Sequence, residues 1–161
     1  MAAAVSIRVC YGTDAGTVSA AISGIDFISA DNATNTTANR QSNPITAGSH
    51  SYEKWIKAYV DTAPDNSVAA IKIWGDGSVQ GSTNLYIGVS STGVTPVNTD
   101  SSIATNDFTS STVDNKLSWH STGLTGVGST SIWAVLQLTV LASCGAGNWT
   151  SETLNWSYDE S

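Results

Sequence analysis

Basic residues are scarce in this chain: six Lys and Arg stand against thirteen Asp and Glu, for a formal net charge of −7 across 161 residues. Phosphate backbones are held by clustered Lys and Arg, and six scattered cations make no cluster, so nucleic acid is excluded as a partner. The same deficit excludes adhesion to an anionic membrane surface. No apolar run approaches the roughly 20 residues that a membrane-spanning helix needs. Helical periodicity is almost absent, which removes helical bundles and coiled coils. Only two cysteines occur, Cys10 and Cys144, too few for a disulfide framework. A bridge between them requires a Cα separation that sequence does not provide, and two half-buried free thiols is the simpler expectation.

What is present is Ser, Thr, Asn and Gly, polar residues that satisfy hydrogen bonds in strands and turns without long, flexible side chains. The length suits a single domain spanning residues 1–161, large enough to bury a core unaided. The start, MAAAVSIRVCYG, lacks a positively charged leader before an apolar segment, so synthesis in a cytoplasm is expected.

Short apolar segments alternate with turn signals along the whole chain. Val5, Ile7, Val9 and Tyr11 share one face at period two. Near the end, Ile132, Ala134, Leu136, Leu138 and Val140 do the same, followed by Leu154, Trp156 and Tyr158. These last two runs, joined by the Gly-rich CGAGN, read as a hairpin closing inside the core. Further strands are expected over 18–28, with a bend at Gly24, and over 52–60, 68–74, 85–89 and 113–119. The segment YEKWIKAYV reads as strand from its β-branched and aromatic content. About eight strands without helices imply two packed antiparallel sheets, because a single sheet would leave one apolar face wet. The expected fold is therefore an all-β, two-layer antiparallel β-sandwich, jelly-roll or Ig-like.

Two long polar segments interrupt this rhythm at about 29–49 (SADNATNTTANRQSNPITAGS) and 90–111. Loops of this length are uncommon in compact domains unless they act or are ordered by a partner. They are the first candidates for contact surface, and within the first of them Arg40 is the sole cation.

Signatures of catalysis are poor. No GxSxG, phosphate loop or dinucleotide fingerprint occurs. His50 and His120 fall in no metal-ligand spacing with the cysteines and read as surface histidines, so neither metal nor cofactor is expected. Asp26, Glu53, Asp76, Glu152, Asp159 and Glu160 could supply a carboxylate pair, as in any acidic protein. In WGDGS, Asp76-Gly77 reads as a tight hairpin turn in preference to a calcium loop, which would need ordered ligands. Of the six tryptophans, Trp55 and Trp149 are the candidates for exposure. The Asn-x-Ser/Thr sequons at Asn32, Asn35, Asn148 and Asn155 are expected by chance in so Asn- and Thr-rich a chain.

The stretch SGIDFISADNATNTTANRQSNPITAGSHSYEKWIKAYVDTAP, residues 23–64, resembles a pattern in small structural proteins encoded by tailed bacteriophages. The ending WAVLQLTVLASCGAGNWTSETLNWSYDES is similar to the C-terminus of the same group, where a Trp-bearing strand, a Gly turn and a final strand ending in Tyr-Asp-Glu recur. Residues 79–128 match nothing. The resemblance implies a non-enzymatic virion component, foremost a capsid decoration (cement) protein on the outer surface of the head. It would be made in the host bacterial cytoplasm and bind the major capsid protein, with a homotrimer favoured by closed symmetric assembly. The alternatives are a tail, neck or fibre component, or a carbohydrate- or receptor-binding adhesin module. Candidate interface residues are Asn32, Asn35, Arg40, Asn43, Trp55 and Trp149.

Overall fold

The computed structural model describes residues 2–77, 79–147 and 152–161. Trp149, one of the candidate interface residues, lies outside them, as do Ser78 and the sequon at Asn148. Among the described residues the chain forms ten strands in two antiparallel sheets. They are β1 (Ala4–Tyr11), β2 (Thr17–Ala21), β3 (Lys54–Thr62), β4 (Val68–Gly75), β5 (Thr83–Ser90), β6 (Asn106–Asp107), β7 (Leu117–His120), β8 (Gly128–Ser129), β9 (Trp133–Val140) and β10 (Leu154–Glu160). The larger sheet runs β2-β1-β3-β9-β5-β6, with β8 also paired to β3, and the smaller runs β10-β4-β7. Eight of the ten match strands expected from alternation. The other two, β6 and β8, are two-residue pairings too short to carry a period.

One apolar cluster fills the space between the sheets. Val9, Ile56, Ala58, Val60, Leu85, Ile87, Ala134, Leu136 and Leu138 come from the larger sheet, and Val68, Ile71, Ile73 and Trp119 from the smaller. Every second residue points inward, so the faces read from β1, β9 and β10 are those that pack: Val5, Ile7, Tyr11, Ile132, Val140, Leu154 and Tyr158 border the cluster.

The C-terminal reading needs correction. β9 and β10 do not form a hairpin: β9 lies in the larger sheet between β3 and β5, whereas β10 is an edge strand of the smaller sheet and pairs with β4. Asp76-Gly77 is likewise not a hairpin turn. It leaves β4 toward β5 in the other sheet, with Gly77 at φ 89°, so its left-handed backbone begins a crossover. β2 ends at Ala21, short of the expected 28. Beyond it Ile22, Ile25 and Phe27 turn in to border the core, and burying these side chains outweighs continued pairing at the sheet edge.

β9 is buried on both faces. Behind it Cys10, Ala15, Trp55, Ala104 and Val135 form a second cluster, bordered by Tyr86, Ile103 and Trp133. The residues covering this outer face come from the 90–111 segment, with Ala15 of the turn after β1. Gly88 admits the segment: a Cβ there would lie 1.9 Å from the carbonyl oxygen of Ile103. Both cysteines are free, Cys10 buried and Cys144 partly exposed, and burial raises the Cys10 thiol above its ordinary pKa.

Gly88→Ala should therefore lift residues 101–105 off β5. The expected result is limited proteolysis within 90–111 under conditions where the wild type is uncut, with the β-type circular dichroism retained. Leu136→Ala, in the main core, should cost about 2–5 kcal/mol in urea denaturation.

Candidate functional site

The two long segments are built differently, and each is held by a buried polar side chain at the start of β3 or within β9. The 90–111 segment is held by Glu53 and Gln137, both 2% exposed. The Glu53 carboxylate accepts from Trp55 Nε1 at 2.9 Å, from the Ser101 hydroxyl, and from the Val97 amide at 3.4 Å, while its own amide donates to Val97 O at 2.8 Å. Gln137 donates through Nε2 to the carbonyls of Thr99 (2.7 Å) and Ser51 (3.1 Å), and its oxygen accepts from the Ser101 amide at 2.9 Å. Ser101 Oγ in turn accepts from the amides of Ile103 and Ala104. Each buried polar group in this network thus has a partner, the condition under which burying it is not destabilising.

The 29–49 segment is held by Lys54, also 2% exposed. Its ammonium donates to Ala30 O and Asn32 O, both at 3.1 Å. Burial lowers the Lys54 pKa to about 8, although Asp31 and Asp26 nearby act in the opposite sense. The segment contains a single turn of helix, α1 (Thr37–Ser42), whose N-cap Thr36 accepts from the Asn39 amide at 3.2 Å. That helix was not expected from periodicity. It buries no residue, so no apolar face marks it, and the signal available was Thr36 placed before Ala, Arg and Gln.

The structure brings four of the candidate residues together here. Asn32 and Asn39 pair through their amides, Asn39 Nδ2 donating to Asn32 Oδ1 at 3.0 Å, and Asn43 Nδ2 donates to Asn39 Oδ1 at 2.9 Å. Arg40 Nη1 contacts both carboxylate oxygens of Asp26, at 2.9 and 3.1 Å, and Asn35 Oδ1 at 3.0 Å, while Nη2 donates to Thr37 Oγ1 at 3.0 Å. Asn39 is the hub of this arrangement, and sequence reasoning did not single it out. Arg40 is exposed but directs its donors into its own chain.

Trp55 is corrected outright: expected at the surface, it is 0% exposed, beneath the 90–111 segment. The covering segment is polar in sequence, so nothing in the local pattern shows that the outer sheet face is dry. Trp133 packs edge-on against Trp55 at 6.0 Å, and its ring is covered by Lys57 Nζ at 3.8 Å. Lys116 similarly covers Trp74. The histidines are not free surface groups either. His120 is 2% exposed, and burial lowers its pKa. His50 bridges Thr139 Oγ1 (2.9 Å) and Asp100 Oδ1 (3.2 Å), tying the 90–111 segment to β9. The order hydroxyl, imidazole, carboxylate resembles a catalytic relay, but the Asp100 side chain is 93% exposed and too well solvated to fix the ring for proton transfer.

Among the described residues, no group of three or more His, Cys, Asp or Glu is placed to hold a metal ion. No helix among them is long and apolar enough to cross a membrane. Comparison with protein-family models, with curated proteins and with solved structures found no significant match.

Two measurements check these holding points. Glu53→Leu strands the Trp55 and Ser101 donors and should destabilise the chain by about 1–3 kcal/mol, with 90–111 the first segment cut by protease. For Lys54, the unfolded chain keeps the proton up to the ordinary pKa near 10.5 and the folded chain releases it near 8. The folded state binds fewer protons between these values, so the group adds stability as pH rises through this window and loses it as pH falls back through 8. Urea stability of wild type minus Lys54→Met should rise by on the order of 3 kcal/mol from pH 7.5 to 10.5. A flat difference would show that Lys54 is not desolvated.

Proposed function

We propose that this chain is a non-enzymatic structural component of a tailed-phage virion, foremost a decoration protein that adds to the assembled head through the major capsid protein. The resemblance of residues 23–64 and of the C-terminal segment supplies the family. The observation that carries the role is the fixing of both long polar segments by buried Glu53, Gln137 and Lys54. A protein added in many copies to a finished lattice binds best when its contact loops are already ordered, since no ordering entropy then opposes each contact. Low charge density and a net −7 keep such a protein soluble before it meets the head.

The contact elements of this reading are the 29–49 segment and the rim of the larger sheet. The N-terminal strand offers no free edge, because β2 and β3 occupy both sides of β1. The free edge belongs to β2, largely exposed. Arg40 already commits Nη1 to Asp26 and Asn35 and Nη2 to Thr37, so the exposed polar surface of α1 is the better contact.

The adhesin alternative has less support. Sugar stacking needs an open aromatic face, whereas among the described tryptophans Trp55 and Trp119 are buried, Trp74 and Trp133 carry lysines over their rings, and Trp156 is stacked on Tyr158. Particles assembled without this protein should form but lose infectivity on heating or osmotic shock sooner than complete ones, because a ligand of the assembled state stabilises it by mass action. Quantitative mass spectrometry of purified particles should find hundreds of copies. A handful of copies would assign the chain to tail or fibre, and robust particles that fail to attach to cells would assign it to adhesion.

A further inference from the structure

Residues 121–131 carry the chain from β7 in the smaller sheet to β9 in the larger, with β8 on the way, and two contacts close this crossover at its base. His120 Nε2 meets Ser131 Oγ at 3.2 Å, and Trp119 Nε1 donates to Ile132 O at 3.2 Å. A register shift between Ile71 and Lys72 of β4 falls opposite this end of β7. Trp119 and His120 are consecutive and both buried, at 1% and 2% exposed, where strict alternation would turn one of them out to solvent. The imidazole therefore belongs to the interior, and its Nδ1 has no hydrogen-bond partner among the described residues. Either neutral tautomer leaves that nitrogen unpaired, because the Ser131 hydroxyl serves Nε2. The loop beyond is lightly packed: Val127 is 60% exposed, and a Cβ at Gly126 or Gly128 would meet nothing within 4 Å. Segments with few buried apolar contacts open at the least cost.

A charge on this ring would meet no counter-ion. Residues 117–119, the loop 121–131 and β9 contain no titratable side chain. On β4 the one such residue is Lys72, which is exposed. On β10, Tyr158 donates to Ala3 O, Glu160 accepts from the Ala3 amide, and Asp159 is exposed. On β3, Lys54 is bound to Ala30 and Asn32, Lys57 lies over Trp133, and Asp61 pairs with Arg8, which covers Tyr59. Burial is the largest influence on the imidazole and disfavours its charged form, outweighing the Thr122 backbone, which acts in the opposite sense. We propose that residues 121–131 form an acid-released loop, clasped at neutral pH by the uncharged ring of His120 against Ser131 and freed when that ring takes up a proton. The sign follows from linkage. Below the ordinary histidine value of 6.5 the closed loop binds fewer protons than the open one, so closure is complete above that value and is lost as pH falls beneath it. The inference does not depend on the virion reading.

The test is hydrogen exchange of the full chain, read by mass spectrometry at about pH 7.5 and about pH 5 and corrected for the chemical exchange rate at each. The amides of Leu124, which donates to Val68 O, and Thr130, which donates to Ala58 O, report on the loop. Protection of 121–131 should fall severalfold at the lower pH while 133–140 in β9 stay protected. In His120→Gln, whose side chain takes up no proton, protection of the loop should be the same at both pH values, and His50→Gln should respond as the wild type does. Unchanged protection in the wild type, an undiminished response in folded His120→Gln, or loss of the response in His50→Gln overturns the proposal, as does equal loss of protection in β9, which would mark global unfolding. Should His120→Gln fail to fold, NMR titration of the wild-type histidines decides, with His50→Gln assigning the two signals. The His120 midpoint must lie below 6.5 and coincide with the loss of protection, and a midpoint at or above that value overturns the clasp.

Discussion

The structure depends on a carboxylate and an amide that are buried on the outer face of a sheet. Glu53 and Gln137 are linked through Ser101, and between them they answer the indole N–H of Trp55 and the backbone of residues 97–101. Buried polar groups are costly when unpaired and nearly neutral when satisfied. The placement of the 90–111 segment satisfies all of these at once, so the network fixes the conformation of a largely polar loop. The second apolar cluster, with Trp55 and Val135 at its centre, stays dry because of that placement. A sheet with one wet face thereby becomes a sheet covered on both sides.

The opposite face is organised from the neighbouring position. Successive residues of an extended chain point to opposite sides, so Glu53 reaches outward and Lys54 reaches inward. Outward lies the 90–111 segment, inward the backbone at Ala30 and Asn32. Two adjacent side chains at the start of β3 therefore fix both long segments relative to the same strand. The geometry between the segments is then as rigid as the sheet itself, which is the property the proposed lattice contact requires.

The inner strands were legible because each has a buried face, and alternation reports that directly: Val5 to Tyr11 and Ile132 to Val140 needed no knowledge of their partners. Pairing was not legible. β9 sits between β3 and β5, and β10 beside β4, relations set by packing over long separations and invisible to a local period. Trp55 was misplaced for a related reason, since its cover comes from more than forty residues further along the chain. Two signals were present and unread. Gln137 is a polar side chain inside the apolar run WAVLQLTV, and Glu53-Lys54 is a charged pair entering a strand; both positions demand buried partners. In the 29–49 segment Arg40 was legible as the sole cation, but its match to Asp26 depends on the turn of the chain after β2.

The insertion of β9 into the middle of the larger sheet also sets the order in which the molecule can be made. Until residues 133–140 have left the ribosome, β3 and β5 have no common neighbour, and each presents an unpaired apolar edge. Pairings so distant in sequence close slowly. About four-fifths of the polypeptide must therefore wait, incomplete and adhesive, for one late strand. If the chain is made in many copies, as the proposed role requires, the hazardous interval is synthesis itself, when mutual repulsion between acidic nascent chains is the available protection.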